Sequence, residues 1–262
     1  MTTIIRASSL PSYTDCPRRW AARTLSREVV EAGYSTEQAQ PASVGASVGT
    51  ATHSGAAHIM GLKMQTGELG SQTEAEQLAL EQFGESVHGG VLWDEATPNL
   101  NDAQKQVVRM VRVFRNTIAV KAEPVAVERR LEANVGGGFM LSGQSDLQTI
   151  EPGRIRDLKT GRFPRSHYAQ LGAYSLLART AHPEQVTKEV CVDFIQRVPV
   201  SKPQPETATE FYDQVVAEQA AASTISRIKS DVDEFRRRLT DGDAPPEHAF
   251  LANPASMLCS KK

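Results

Sequence analysis

The sequence predicts an α/β or α+β protein in which helices flank a mixed β-sheet core. Two observations predict this class. Apolar residues recur at helical spacing through the first part of the chain, and from Pro124 they alternate with polar residues as they do in strands. The predicted elements then follow the order β-β-β-α-β and close with a helix. A chain of 262 residues is long enough to bury a core of its own, so we expect one domain.

Three parts of that domain differ in pattern. Residues 1–123 are expected to form a helical N-terminal part that carries the Cys and His motifs. Residues 124–200 are expected to form the sheet core, and residues 201–262 a C-terminal helix and tail.

The first predicted helix is capped by Ser9 or Ser12, because a serine oxygen can accept hydrogen bonds from the free amides at a helix start. It continues through Trp20. A second helix begins at Val44, in a segment of small residues whose glycines signal close packing. Further helices are predicted over residues 74–83 and 104–120.

The central part is predicted to be a meander of three antiparallel strands. Three glycines at 136–138 form the turn between the first two strands, and Glu-Pro-Gly at 151–153 leads into the third. The remaining predicted elements are a helix at 166–181, an apolar strand at 189–198 and one long helix at about 207–239 that includes Phe211 and Val215.

Composition excludes several classes of protein. The longest charge-free stretch, residues 38–62, is filled with Ser, Thr, Gly and Ala, so it is not a membrane helix. The N-terminus has no secretory signal, so we expect a cytoplasmic protein of a bacterium or a phage-infected cell. The net charge of -2 gives no global argument for nucleic acid. The stretch from Arg154 to Arg165, however, has five basic residues and one acidic residue.

Several polar residues could carry chemistry. Asp157 and Lys159 share one face of the third strand, because side chains alternate along a strand. Such an acid-x-Lys pair is common by chance, but Asp146 on the preceding strand places a second carboxylate beside it. Gln170 and Tyr174 are spaced four apart and lie on one face of the following helix.

These motifs together resemble those of the RecB-type branch of the PD-(D/E)XK nuclease superfamily. The motifs that carry the resemblance are Gly-x-x-Asp at 143–146, Asp-x-Lys-Thr-Gly at 157–161 and Gln-x-x-x-Tyr at 170–174. His53, on a predicted helix, precedes them. The segment from Ser9 to Trp20 also resembles the opening of the iron-sulfur members of that branch. The resemblance implies a restriction-endonuclease-like fold and hydrolysis of phosphodiester bonds.

The resemblance also implies a site for Mg²⁺ or Mn²⁺. The ligands it implies are the side chains of His53, Asp146 and Asp157 and the backbone carbonyl of Leu158. Carboxylate oxygens suit both cations, and an imidazole ligand favours Mn²⁺. His58 is a rival for the role of His53, and His53 could instead be a packed histidine bonded to a carbonyl.

Further roles follow from the same resemblance. Lys159 would orient the nucleophile or offset charge in the transition state, and Gln170 and Tyr174 would position that lysine or the scissile strand. Tyr174 could equally be ordinary core. Glu128 is either an additional outer-shell acid or a surface carboxylate paired with Arg130.

The cysteines depart from the pattern of the iron-sulfur members. A [4Fe-4S] cluster needs four thiolates, whereas this sequence has Cys16, Cys259 and Cys191, the last within an apolar strand. Cys16 and Cys259 match cluster positions. Either the chain was cut after the first of its C-terminal cysteines, or this protein has lost the cluster. We favour truncation, which leaves a [4Fe-4S] cluster possible in a full-length form, and expect that the chain binds no intact cluster as given.

DNA contacts are expected from basic side chains. Arg162 and Arg165 lie in the basic run beside the site, and Arg19 lies in an N-terminal basic cluster. Trp20 and Tyr13 either stack on an unpaired base or belong to the core.

The sequence therefore predicts a metal-dependent DNA nuclease. We expect an exonuclease of phage or bacterial recombination, repair or CRISPR adaptation, with a helicase or an adaptation protein as a possible partner. The alternative is a catalytically weak DNA-binding or assembly subunit with the same fold. A different fold in which the spacings arose by chance is the third alternative.

Overall fold

A computed structural model of the protein describes residues 2–36, 41–150, 153–161, 167–183, 187–242 and 244–256. It confirms the predicted mixed sheet with flanking helices. Among the described residues the strands are β1 (Thr3–Arg6), β2 (Pro124–Gly136), β3 (Phe139–Thr149), β4 (Arg154–Gly161), β5 (Glu189–Gln196) and β6 (Ala208–Tyr212). The helices are α1 (Leu10–Asp15), α2 (Pro17–Thr24), α3 (Ser26–Glu31), α4 (Val44–Thr66), α5 (Gln72–Val87), α6 (Leu100–Phe114), α7 (Tyr168–Ala181) and α8 (Gln214–Asp241).

The sheet is built around β3. The predicted meander is confirmed, because β2, β3 and β4 pair antiparallel in chain order. β2 pairs with β3 along one side of that strand. β1 and β4 both pair on the other side, β1 near the start of β3 and β4 near its end. β5 then pairs parallel with β4 after the α7 crossover, and β6 pairs antiparallel with β5. The α7 crossover explains the parallel pair of β4 and β5, and β1 forms a second parallel pair with β3.

Two edge strands were not predicted. β1 and β6 have four and five residues, too few for a period of two to stand out. The predicted helix at 207–239 is wrong over its first residues, since Phe211 lies in β6 and α8 begins only at Gln214. Asp213 caps α8 by accepting a hydrogen bond from the Val216 amide. Val215 is 63% exposed and does not belong to the apolar stripe.

The first predicted helix is interrupted. It ends at Cys16, whose backbone is extended at φ -153° and ψ 98°. The residue before a proline is restricted to extended conformations, so Pro17 forces this break and starts α2. The predicted serine cap is also wrong. Ser9 donates to the Arg6 carbonyl and accepts from the Trp20 indole, with no cap bond to the helix.

The two faces of the sheet are covered by different helices. One core contains residues of α1, α2, α7 and α8, with large buried side chains such as Trp20, Phe139 and Phe235. The other contains residues of α4, α5 and α6, including Ile59 and Phe83. None of the helices in the described part of the chain has the length and hydropathy that a membrane span requires.

Tyr13 and Trp20 lie inside the first core. Both are almost fully buried, and their rings meet edge to face at 5.5 Å between centroids. The Tyr13 hydroxyl donates a 2.6 Å hydrogen bond to Asp231, which is also buried. The alternative that these rings stack on an unpaired base is therefore wrong, and the core interpretation is confirmed.

Candidate active site

The candidate site lies where β3 and β4 separate. The ladder between these strands joins residues 147–149 to residues 154–156. Next to it, the Leu158 amide donates a 2.6 Å hydrogen bond to the Asp146 carboxylate instead of to a backbone carbonyl. The amide and carbonyl of one strand residue point to the same edge, so the Leu158 carbonyl also faces β3. The sequence-predicted pair Asp146 and Leu158 is thus brought together by a gap in the sheet.

Helix α4 brings His53 to this gap. Ser43 caps the helix by accepting a hydrogen bond from the Ala46 amide, and Gly49 allows it to approach β4 closely. A Cβ atom at Gly49 would lie 2.6 Å from Thr160 Oγ1, so the expectation that these glycines mean close packing is confirmed. The Nδ1 atom of His53 lies 3.3 Å from Oδ1 of Asp146. His53, rather than its rival His58, therefore occupies the position beside the carboxylate.

Glu128 joins the same cluster from β2. The register places it directly opposite Asp146, because its neighbours Val127 and Arg129 pair with Leu147 and Ser145. Its backbone is in the left-handed region at φ 48°, an unusual conformation for a residue other than glycine.

The structure gives Glu128 a different partner from Arg130, the one that the sequence offered as the alternative. Its carboxylate accepts a 2.6 Å hydrogen bond from Gln144, and Arg130 donates to Gln144 and Ser142. The surface pairing of Glu128 with Arg130 is therefore wrong.

The second carboxylate, Asp157, is held on the α7 side of β4. It is 1% exposed, and its Oδ2 atom lies 2.7 Å from Lys159 Nζ. Gln170 donates to Asp157 Oδ1 at 3.3 Å and to the Tyr174 hydroxyl at 2.8 Å. The structure thus brings together these four predicted residues through one ion pair and two hydrogen bonds, and buries Tyr174 at the far end of the series.

The titratable groups of the site influence one another. Burial raises the pKa of Asp157 to about 6, with Asp146 adding to the rise and Lys159 opposing it. Burial acts in the same direction on Asp146, but His53 and Lys159 outweigh it and lower the pKa. Burial and the Asp146 charge raise the pKa of Glu128. For His53, burial disfavours the charged form, but Asp146 outweighs burial and raises the pKa. The pKa values of the two aspartates are therefore shifted in opposite directions.

Two spaces adjoin these side chains. A small cavity of about 20 Å³ is lined by His53, Glu128 and Asp146, by Arg156 and Asp193, and by apolar side chains. An open groove of about 500 Å³ is lined by His53, Glu128, Lys159, Thr160 and the start of α4. His53 and Glu128 line both spaces, so the small cavity and the groove adjoin at these two side chains.

The comparisons with known proteins agree with this geometry. A model of the PD-(D/E)XK nuclease superfamily matches residues 6–260, nearly the whole chain. The chain belongs to this superfamily. The resemblance seen in the sequence motifs is thereby confirmed, and so is the restriction-endonuclease-like fold. The sequence has no match among curated proteins.

A solved structure supports the fold. A protein from Eubacterium rectale, described provisionally as an exonuclease, matches with a TM-score of 0.55 and 12% sequence identity. The match covers 98% of this chain and 87% of that chain. The structure named SSO0001 matches with 13% identity and a TM-score of 0.29, over 85% of this chain and 95% of that one. The first likeness supports the fold, and the second is too weak to carry an argument.

The donor set of this PD-(D/E)XK chain fits a divalent cation. One ligand atom each from His53, Glu128 and Asp146 lie within 4.8 Å of one another. Carboxylate oxygens suit Mg²⁺ and Mn²⁺, and an imidazole nitrogen suits Mn²⁺. The Leu158 carbonyl faces the same gap as Asp146. Asp157 does not meet the 4.8 Å spacing with the other three among the described residues.

The predicted cluster cysteines are only partly within the described residues. Cys16 is buried at the junction of α1 and α2, and Cys259 lies outside the described residues. The C-terminal segment nevertheless returns to Cys16, since Asn253 and Ser256 donate to the backbone and side chain of Asp15. Cys191 is fully buried in β5, and burial raises the pKa of its thiol to about 12. It therefore behaves as the small buried hydrophobe that the sequence predicts.

The predicted DNA-contacting arginines have different placements. Arg162 and Arg165 lie outside the described residues. Arg19 is 11% exposed at its side chain and forms a 3.2 Å ion pair with Asp15, one turn earlier in the chain. A DNA contact by any of these three residues stays a prediction.

Two buried arginines support the site and were not predicted. Arg156 forms a bidentate pair with Asp193 across β4 and β5, with distances of 2.7 and 2.6 Å. Arg197 pairs with Asp94 and lies against Gly45 at the start of α4. Asp193, flanked by apolar residues within the strand predicted at 189–198, was the available signal for the first pair, because a buried acid requires a partner.

Proposed function

We propose that this protein is a metal-dependent deoxyribonuclease. The observation that carries the proposal is the convergence of His53, Asp146 and Glu128 next to the Asp157 and Lys159 pair, at the wall of an open groove. Membership of the nuclease superfamily supports hydrolysis of a phosphodiester as the reaction. The cations we propose are Mg²⁺ or Mn²⁺, held by His53, Asp146, Asp157 and the Leu158 carbonyl.

Each side chain has a separate task in this proposal. The cation, when bound, activates water and polarises the phosphoryl oxygen. Lys159 lines the groove and places its positive charge where negative charge develops on the phosphate in the transition state. Gln170 and Tyr174 act as positioning residues, since they hold Asp157 from the side opposite Lys159.

We propose DNA as the substrate and exonucleolytic cleavage as the mode. The open groove of about 500 Å³ accommodates a polynucleotide strand rather than enclosing a small molecule. The Eubacterium rectale structure, described as an exonuclease, supports this mode by fold alone. We further propose phage or bacterial recombination, repair or CRISPR adaptation as the setting, with a helicase or adaptation protein as partner. The compartment would then be the cytoplasm, where such DNA is found.

We also propose that the whole chain forms one nuclease domain and holds no intact [4Fe-4S] cluster as given. Helices from both ends of the chain pack on one sheet, which supports a single domain. Four thiolates are the usual ligand set of such a cluster, and the sequence has three cysteines. Purified protein with about four irons per chain would contradict the cluster proposal.

Cleavage of end-labelled single- and double-stranded DNA tests the function directly. The protein is incubated with Mn²⁺, Mg²⁺ or EDTA, beside Asp157→Ala and a control variant, Lys105→Ala, in an exposed position on α6. We expect DNA cleavage products from the parent protein and from Lys105→Ala when metal is present. We expect no products in EDTA, and none from Asp157→Ala. DNA binding without cleavage under every condition would favour the assembly subunit instead.

A further inference from the structure

We propose that the exposed sheet face beside the site binds the phosphates of a single DNA strand, through Arg6 on β1 and Arg130 on β2. The inference rests on the proposed nuclease function and extends it from the scissile phosphate to the flanking part of the substrate. The observations that carry it are the shared position of the two arginines, their charge and the polar groove beside β1.

Strand register places both arginines beside one residue of β3. Arg6 pairs with Ser142 from one side of that strand, and Arg130 donates a 3.4 Å hydrogen bond to the Ser142 hydroxyl from the other side. Cross-strand neighbours lie on the same face of a sheet, so the two arginines belong to one surface. Both side chains are exposed. A ligand that lies across this face can therefore contact both of them.

This surface borders the candidate site. β1 runs parallel to β3 and its last pair is Arg6 with Ser142, so its carboxyl end points towards the gap at Asp146. Ser142 is four positions before Asp146, which is at most about 13 Å along an extended strand. Gln144 lies between them and accepts a 3.2 Å hydrogen bond from Arg130. A DNA strand whose scissile phosphate lies at Asp146 therefore reaches both arginines within a few nucleotides.

The charge of these two arginines is not neutralised within the described part of the chain. Neither forms an ion pair there, whereas the exposed Arg112 pairs with Glu76 at 2.6 Å. Glu132 lies on the same face, and its carboxylate accepts a 3.0 Å hydrogen bond from Ser142. With two arginines and this one acid around Ser142, the surface keeps a positive charge, which favours an anionic partner.

A groove beside β1 continues this positive surface. Its volume is about 580 Å³, and Arg6 lines it together with Arg23 and Arg27, of which Arg27 also pairs with Glu31. The acid that lines the groove, Glu28, is itself in an ion pair. Hydroxyl and guanidinium groups are the usual side-chain donors to phosphate oxygens. The hydroxyl groups of the lining belong to Thr2, Thr3, Ser8, Ser9, Thr24 and Ser26. The groove is thus suited to a polyanion.

Apolar side chains next to the arginines favour an unpaired strand. Ile4 is 50% exposed, two positions before Arg6 on the same face, and it pairs with the half-buried Met140 of β3. The flat faces of unpaired bases can cover such side chains and remove apolar surface from water, whereas a duplex keeps those faces stacked inside it. We therefore assign the surface to a single strand.

The salt dependence of DNA binding tests the inference separately from cleavage. A fluorescent oligothymidylate is titrated with the full chain in EDTA, and the affinity is measured by fluorescence anisotropy at several salt concentrations. The variants are Arg6→Ala, Arg130→Ala and the double variant, with Arg6→Lys as the variant that keeps the charge. Arg112→Ala removes an exposed, ion-paired arginine from α6 and is the matched control. Thermal melting verifies folding, and Arg6→Ala alone decides the test if the Arg130 variants do not fold.

A phosphate contact by each arginine predicts a change in slope. On a single strand, each such contact contributes about 0.7 to the slope of log affinity against log salt concentration, because it releases a counterion. We expect this slope to become shallower by about 0.7 in each single variant and by about 1.4 in the double variant. Affinity at about 0.1 M salt should fall roughly fivefold for each arginine removed. Arg6→Lys and Arg112→Ala should keep the slope of the parent protein.

Several results would overturn the inference. One is parental affinity and slope in the alanine variants. Another is weaker binding with an unchanged slope, which indicates a structural effect rather than a lost phosphate contact. A parent protein that binds no oligonucleotide would also overturn it, and a slope change seen only with duplex DNA would overturn the assignment to a single strand. Failure of the proposed nuclease function is distinguishable, because it appears as a parent protein that binds DNA but does not cleave it with Mn²⁺ or Mg²⁺.

Discussion

The carboxylate of Asp146 accepts a 2.6 Å hydrogen bond from the backbone amide of Leu158, in the place where a ladder bond between β3 and β4 would lie. A side chain thus takes over the role of a backbone carbonyl. The bond fixes the carboxylate at the gap between the strands, with His53 at 3.3 Å on one side. It also explains why the Gly-x-x-Asp and Asp-x-Lys motifs meet, although eleven positions separate their aspartates in sequence.

Replacement of Lys159 by alanine should nearly abolish DNA cleavage. We expect a fall in kcat of about 10²- to 10³-fold, because the ammonium group offsets charge that develops in the transition state. DNA affinity should change little, since one phosphate contact is a small part of a groove. Single-turnover cleavage with Mn²⁺ and a filter-binding titration measure the two effects. Lys105→Ala is the control, and equal cleavage rates for both variants would contradict the role of Lys159.

Replacement of Asp157 by asparagine should stabilise the metal-free protein at neutral pH. Burial raises the folded-state pKa of this acid from 3.8 to about 6. The native state therefore keeps a proton that the unfolded state has lost, and stability falls as pH rises from about 4 to 6. The asparagine variant has no such proton to lose. Its free energy of unfolding at pH 7 should therefore exceed that of the parent by on the order of 1–3 kcal/mol.

Urea unfolding in EDTA at pH 4.5 and pH 7 measures that gain. Asp233→Asn, at an exposed position of α8, is the matched control. Its stability should depend on pH in the same way as that of the parent protein. A lower stability of Asp157→Asn at pH 7 would show that the contact with Lys159 outweighs the cost of burial.

Replacement of Asp94 by asparagine should destabilise the protein above pH 4. Arg197 is 5% exposed and pairs with Asp94, which lowers the pKa of that carboxyl. The stabilisation is present above the unfolded pKa of about 4 and is lost as pH falls through the lower folded value. We expect the free energy of unfolding at pH 7 to fall by about 2 kcal/mol, the typical contribution of a hydrogen bond to a charged group. Denaturation at pH 7 and pH 3 should show the variant approaching the parent at the lower pH.

Replacement of Gly172 by alanine should disrupt the packing of α7 on α8. A Cβ atom there would lie 1.8 Å from the Ala217 carbonyl oxygen, which is backbone and cannot rotate away. We expect a loss of about 3 kcal/mol or more. Because α7 carries Gln170 and Tyr174, cleavage should fall too. Thermal melting of Gly84→Ala provides the control, since nothing lies within 4 Å of that Cβ and alanine favours a helix.

Local sequence patterns predicted the elements that are long or strongly marked. The hairpin of β2 and β3 followed from alternation and three glycines, and α4 and α7 from helical spacing. The short strands β1 and β6 were missed because four or five residues carry too little periodicity. Their strand conformation comes from pairing, β1 with β3, which is distant in sequence, and β6 with β5, the strand before it.

The sequence by itself determined the superfamily and the mixed sheet, because motif order and strand alternation are local properties of a chain. It also singled out five candidate site residues, Asp146, Asp157, Lys159, Gln170 and Tyr174. Only the tertiary structure decided that His53 rather than His58 lies at Asp146, and that Glu128 opposes Asp146. It also decided that the Asp157 carboxylate is bound by Lys159 and Gln170. These relationships depend on strand register and on the close approach of α4 at Gly49, which arise when distant segments pack.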